Sequence, residues 1–136
     1  MLFRFGVSLE KELLEKFDSL IKKKNYPTRS KAIADLMRSE FVKEEWHKNK
    51  ETAGAITIIY DHHKRELVNS LMDIQHDFGN IIISSQHIHL DHNNCLEIIA
   101  VKGSPLKIQE LSNTLKAVKG VKHGTLSMST TGKELT

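Results

Sequence analysis

The sequence predicts an α+β protein in two parts, a short βαα segment followed by a ferredoxin-like βαββαβ domain. Three observations predict it. Apolar residues alternate singly at the start of the chain, then recur at helical spacing in two stretches split by Asn25-Tyr-Pro-Thr28. A polar, aperiodic stretch over residues 47–54 separates this segment from the rest. Beyond it, strand-like and helix-like stretches follow in the order strand, helix, strand, strand, helix, strand.

The first part is expected over residues 1–48. Phe3, Phe5, Val7 and Leu9 alternate with Arg4, Gly6 and Ser8, the period of a half-buried strand. Leu13, Leu14, Phe17, Leu20 and Ile21 then share one face of a helix. Pro27 restricts both itself and Tyr26, which breaks that helix. Thr28 or Ser30 caps the next one, whose apolar stripe is Ile33, Leu36, Met37 and Phe41. One lone strand and two one-sided helices bury too little surface to stand alone. The element count therefore predicts an intertwined dimer, with strands of two copies pairing antiparallel.

The second part is expected over residues 54–131. Residues 55–60 read as a strand, and 64–78 as a helix buried through Leu67, Val68, Leu71 and Met72. Residues 80–90 and 95–101 read as two strands joined by the turn Asp91-His-Asn-Asn94. Pro105 opens a helix whose inner side carries Ile108, Leu111, Leu115 and Val118. Residues 121–129 form the last strand, and the tail 130–136 reads as loose.

Composition excludes several classes. Hydrophobic residues are 39% and charged residues 27% of the 136, ordinary for a soluble domain. No apolar run is long enough for a bilayer, and the first, 2–9, is broken by Arg4 and Ser8, unlike a signal peptide. A cytoplasmic location without membrane contact is the expectation. The single cysteine, Cys95, rules out an intrachain disulfide. Residues 1–50 hold 12 Lys/Arg against 8 Asp/Glu, so the basic excess lies in the first part and suits an acidic partner such as DNA.

The chemistry concentrates in Gln86-His-Ile-His-Leu-Asp-His-Asn-Asn-Cys-Leu-Glu97. Residues two apart on a strand share a face, so His87 and His89 project together, about 7 Å apart. On this reading Ile88 and Leu90 point to the opposite, buried face. The turn returns Cys95 to the same space. Two imidazoles and a thiolate are a donor set for a late first-row metal. A histidine pair of this spacing is common; one followed by the only cysteine across a tight turn is specific. Glu97 falls on the same face, where it can accept from a ligand imidazole. A fourth donor is open among Asp61, His62, His63, His76, His92 and His123. On the amino-terminal strand, Arg4, Gly6 and Ser8 face solvent as a ribbon in a DNA major groove would require. The helix start at Arg29 and Ser30 can offer backbone N–H groups to a phosphate. No nucleophile–base pair appears, so an enzyme is not expected.

With those residues in view, the chain resembles the nickel-responsive regulator family (NikR) from about Leu2 to about Thr131. The resemblance rests on Arg4-Phe-Gly-Val-Ser-Leu9, Tyr26-Pro-Thr-Arg-Ser30, Tyr60-Asp-His-His-Lys-Arg-Glu66, Gln75-His76, His87-Ile-His89, Cys95-Leu-Glu97 and Lys119-Gly-Val-Lys-His-Gly124. It implies a ribbon-helix-helix DNA-binding domain and an ACT-like metal-binding and tetramerisation domain. It also implies square-planar Ni(II), one per subunit, held by His87, His89 and Cys95 with His76 of a neighbouring subunit. The implied assembly is a dimer of dimers that represses nickel uptake by binding an inverted-repeat operator. Arg4, Gly6 and Ser8 match the family's base-reading positions, and Lys64 and Arg65 its contact to the DNA backbone. Gly6 stands where relatives usually carry a hydroxyl residue, and Lys31 where many carry an acidic one. The alternatives are the same architecture tuned to cobalt or copper, and an ACT-type regulator that binds an amino acid.

Overall fold

A computed structural model describes all 136 residues, which form two compact units, Met1–Glu40 and Phe41–Thr136. The division falls inside a helix, whereas the composition changes at 47–54.

The first unit contains α1 (Lys11–Lys23) and the start of α2 (Arg29–His47). α1 ends because Asn25 adopts φ 61°, the left-handed conformation an asparagine tolerates. The Tyr26 N–H then reaches back to the Ile21 carbonyl at 3.0 Å, satisfying a helix-end acceptor. Of the two candidate caps for α2, Thr28 is the one used, its Oγ1 accepting from the Lys31 N–H at 3.1 Å. Residues 1–10 precede α1 without a ladder within the single chain, where the strand expected to pair with a second copy has no partner. A strand exists only with a hydrogen-bonding partner, and this chain offers that segment none. Its apolar side chains stay exposed, Phe3 to 83%. No residue of α1 is buried, and Ala32 alone is buried in the whole unit.

The second unit is a four-stranded antiparallel sheet with two helices. Its strands are β1 (Thr52–Tyr60), β2 (Ile82–Asp91), β3 (Asn94–Gly103) and β4 (His123–Met128), in spatial order β2-β3-β1-β4. α3 (Arg65–Asp77) and α4 (Pro105–Lys116) supply the crossovers. Burial alternates along β3, where Cys95, Glu97, Ile99 and Val101 are inside. Ile56, Ile58 and Tyr60 of β1 lie on that face and close a core with Leu67, Leu71, Ile108, Leu111 and Leu115 of the helices. α4 starts as expected, with Pro105 in its first turn and Ser104 Oγ accepting from the Lys107 N–H.

The start of β1 and the tail both differ from the sequence reading. β1 begins at Thr52, because its hydroxyl donates to the Ser129 carbonyl at 2.8 Å and its side chain is wholly buried. Gly54 admits β4 alongside, since a Cβ there would sit 2.6 Å from the Ser127 carbonyl oxygen. The tail is tied at its base, not loose from residue 130. Trp46 Nε1 donates to the Ser129 carbonyl at 2.7 Å, and the Thr130 hydroxyl donates to Glu45 Oε2 at 2.9 Å. No helix is long and apolar enough to cross a membrane.

Candidate metal centre

The β2–β3 hairpin positions the candidate ligands. Its register sets His89 directly opposite Cys95 and His87 directly opposite Glu97. Opposed residues of an antiparallel pair point to the same side. All four therefore lie on the face that α3 and α4 cover, where Cys95 is 1% and Glu97 2% exposed. This corrects the expectation for the alternate residues. Ile88 and Leu90 share the other face with Leu96, and Leu90 remains 52% exposed. The alternation was right, but the helices cover the side that carries the thiol.

The turn is built from side chains. Asp91 Oδ1 accepts from the Asn93 N–H and from Asn94 Nδ2, both at 2.9 Å, which holds its carboxyl below the ordinary aspartate range, chiefly through Asn94. Lys122 Nζ, just before β4, donates to Asn94 Oδ1 at 2.6 Å and pins the tip from outside the hairpin.

Glu97 is a buried carboxylate with its lone pairs engaged. Tyr60 Oη donates to Oε1 at 2.7 Å, Gln75 Nε2 donates to Oε2 at 2.9 Å, and His87 Nε2 lies 3.1 Å from Oε2. Burial first, and then the bond to Glu97, pushes the Tyr60 hydroxyl above the ordinary phenol range. Tyr60 thus stays a protonated donor. Sequence reasoning placed Glu97 on the ligand side but missed Tyr60 and Gln75 as its supports. Their signal was their place in the Tyr60–Glu66 and Gln75-His76 motifs.

His76, at the end of α3, is exposed and lines one groove with Tyr60, Gln75, His87 and Glu97. Cys95 and His89 do not line that groove. Within the single chain the nitrogens of His87 and His89 do not converge on Cys95. His87 is turned to Glu97, and the His89 ring stacks on His62 at 4.4 Å. The register sets His89 across from the sulfur and His87 two residues along the same face, across from Glu97. A soft thiolate and two borderline imidazoles, with a fixed carboxylate beside one of them, fit nickel.

The other candidates are dispersed. Arg4, Gly6 and Ser8 lie in the exposed leading segment, and a Cβ on Gly6 would meet no atom within 4 Å. Arg29 holds Asp18 through two bonds of 2.8 and 2.6 Å. Ser30 is exposed in the first turn of α2. Asp35 receives Lys31 Nζ at 2.7 Å, Tyr26 Oη at 3.0 Å and Arg38 Nη1 at 3.0 Å, so Lys31 and Arg38 both bring positive charge to it. Lys64 and Arg65, at the start of α3, line a groove with Lys119.

Residues 53–129 match the family model described as the NikR C-terminal nickel-binding domain. A protein of Syntrophus aciditrophicus named as a nickel-responsive regulator is 62% identical over 130 residues, covering 96% of this chain and 95% of its own. One of Chlorobium limicola with the same name is 54% identical over 131 residues, covering 96% of this chain and 98% of its own. An uncharacterized protein of Thermotoga maritima has a solved structure with TM-score 0.52 at 17% identity, covering 57% of this chain and 95% of that one, which speaks for the fold alone. The chain belongs to the family of nickel-responsive regulators.

Proposed function

We propose that the chain is a DNA-binding repressor of nickel uptake whose hold on an inverted-repeat operator depends on nickel. His87, His89 and Cys95 of one copy would hold the ion together with His76 of a neighbouring copy, one ion per chain. The observation that carries this reading is the hairpin register, with His89 opposite a buried thiol and His87 opposite a buried carboxylate. Nickel supplies a divalent centre that imidazole and thiolate donors from two copies can share. The protein does the rest. Lys122 and Asp91 fix the hairpin tip, Glu97 orients the His87 ring, and Tyr60 and Gln75 hold Glu97 in place. Burial of the sulfur keeps water from competing for it.

DNA binding is assigned to the first part of the chain, residues 1–48, with 54–131 as the metal-binding and tetramer-forming part. The leading segment leaves Phe3, Phe5, Val7 and Leu9 without cover, which a second copy would bury by pairing strands. Arg4, Gly6 and Ser8 would then face the major groove, with Arg4 free to reach a guanine edge. Phosphates would meet the backbone at Arg29 and Ser30, and Lys64 and Arg65 of the second unit. The Arg29 guanidinium serves Asp18, so its contribution comes from its N–H at the helix start. Nickel raises DNA affinity only if the DNA-competent assembly binds it more tightly, by linkage.

Changing Cys95 to Ala tests the reading. The sulfur-to-nickel absorption band and the nickel-dependent retention of operator DNA are both expected to vanish. Retention that survives without the thiol would overturn it.

A further inference from the structure

The polar stretch that ends α2 has the composition of a loose linker, yet the second unit ties it down. Asn49 adopts φ 57°, and around it the helix closes its own last carbonyls. The Lys50 N–H reaches the Glu45 carbonyl at 3.1 Å and the Asn49 N–H the Trp46 carbonyl at 3.4 Å. Asn49 Oδ1 accepts from the Leu106 N–H in the first turn of α4 at 3.2 Å. Lys50 Nζ meets Glu134 at 3.5 Å, and Lys133 Nζ meets Glu51 at 3.7 Å.

The firmest tie lies one turn earlier, in the part of α2 that belongs to the second unit. Val42 and Trp46, four residues apart on one helix face, pack into that unit's core. A buried indole N–H needs an acceptor, and Trp46 Nε1 has one in the Ser129 carbonyl. The same carbonyl accepts from the Thr52 hydroxyl, and the Ser129 N–H donates to the Ala53 carbonyl at 2.9 Å. Residue 129 thus joins the end of α2, the start of β1 and the exit of β4 at one point. Glu45 is a buried carboxylate, and the Thr130 hydroxyl that donates to it is itself held by the Gly132 N–H at 3.1 Å. A surface helix end has no need of two buried side chains fastened to residues more than eighty positions away.

We infer that Trp46 and Glu45, closed by Ser129 and Thr130, are positioning residues for operator binding: they clamp the last turns of α2 so that the helix leaves the second unit in one direction. This rests on the proposed function and adds the route by which nickel acts on DNA. A joint swivelling at residues 47–51 would let the DNA-binding parts of an assembly point anywhere, whatever the metal did. Two tethered modules help one another only where geometry lets both engage. The preference of nickel for one assembly therefore reaches DNA only through a stiff connection. Thr52 and Tyr60 are the two ends of β1, and Tyr60 pairs with Cys95, so the clamp stands a full strand away from the thiol. Opening it should spare the metal and cost the coupling.

The test uses full-length protein and a DNA duplex selected from random sequence by the nickel-loaded, unchanged chain. Duplex affinity is measured with and without nickel for that chain, for Trp46→Ala, for Glu45→Ala and for a chain cut after Ser129. Nickel is expected to raise the affinity of the unchanged chain, and that rise should shrink roughly tenfold in Trp46→Ala. Glu45→Ala and the cut chain should show a smaller loss in the same direction. All are expected to keep the sulfur-to-nickel absorption band. A band-bearing Trp46→Ala with the full rise overturns the inference. Glu45→Ala and the cut chain leave the core filled, so loss of the band in both would reduce the clamp to a part of the fold and overturn it too. Trp46 is the single tryptophan, so its emission in the unchanged chain should be that of a buried indole, with and without nickel. Emission of a water-exposed indole in either state contradicts the clamp. An unchanged chain whose duplex affinity ignores nickel strikes the proposed function itself, and the inference with it.

Discussion

The two units of this chain use the same kinds of apolar side chain to opposite effect. In Phe41–Thr136, alternating residues of β1 and β3 meet two helices, and Leu111 and Leu115 are fully buried. In Met1–Glu40, helix α1 is just as one-sided in sequence yet buries nothing, and Leu13, Leu20, Leu36 and Met37 stay exposed. The difference teaches that amphipathic pattern alone does not make a core. A core needs a second layer within reach, and the first unit has none within itself. Its missing layer is proposed to be a second copy.

The largest expected effect lies where the core closes. Leu111→Ala removes a side chain with no exposure and is expected to cost about 2–5 kcal/mol, read as a lower denaturation midpoint of the sheet unit. Phe5→Ala, at a position exposed in the single chain, is expected to leave that transition within about 0.5 kcal/mol. It should instead weaken association and operator binding, visible in sedimentation at falling concentration. A Phe5→Ala protein that melts early but associates normally would break the comparison, since the side chain would then serve the single chain.

Next in size is Glu97→Ala. It leaves the Tyr60 hydroxyl and the Gln75 amide without their acceptor, a loss of about 1–3 kcal/mol in stability. Nickel affinity should drop roughly 10- to 100-fold as the His87 ring loses its orientation. Full affinity in a destabilised variant would reduce Glu97 to a packing role.

The legibility of the two units differs for the same reason as their packing. The helices and strands of the sheet unit were readable because period and turn residues agree there, down to Pro105 at the start of α4 and the Asp91–Asn94 turn. That His87, His89 and Cys95 share one face of the hairpin followed from strand period and one tight turn. Which side of β2 the helices cover was not readable. On an edge strand, Ile88 and Leu90 argue for one face as well as a buried thiol argues for the other, and the crossover helices decide. Tyr60, Gln75 and Lys122 act across sequence distances that no local pattern encodes. The proposed cross-chain pairing was legible only as a missing partner, because periodicity names a strand and not what it pairs with.

The smallest effect expected is electrostatic and belongs to the first unit. Hydrogen bonds from Arg29 hold the Asp18 carboxyl below its ordinary range, and those from Lys31 and then Tyr26 do the same for Asp35. A carboxyl with a depressed folded pKa stabilises the fold above its unfolded pKa, about 3.9, and that stability is lost as pH falls through the folded value. Acid titration followed by helical circular dichroism should therefore melt unmodified protein at lower stability below about pH 4, and Asp35→Asn should flatten that dependence. An unchanged acid limb in Asp35→Asn would remove this pair from the account.

The most direct test of the central claim is complementation between two inactive chains. His76→Ala keeps the hairpin ligands, and Cys95→Ala keeps His76. Each alone should lack the sulfur-to-nickel absorption band. When the two are unfolded together and refolded as mixed assemblies, hairpins of one chain should meet His76 of the other and the band should return in part. No recovery in assemblies shown to contain both chains, or a full band from His76→Ala alone, would contradict a centre shared between copies.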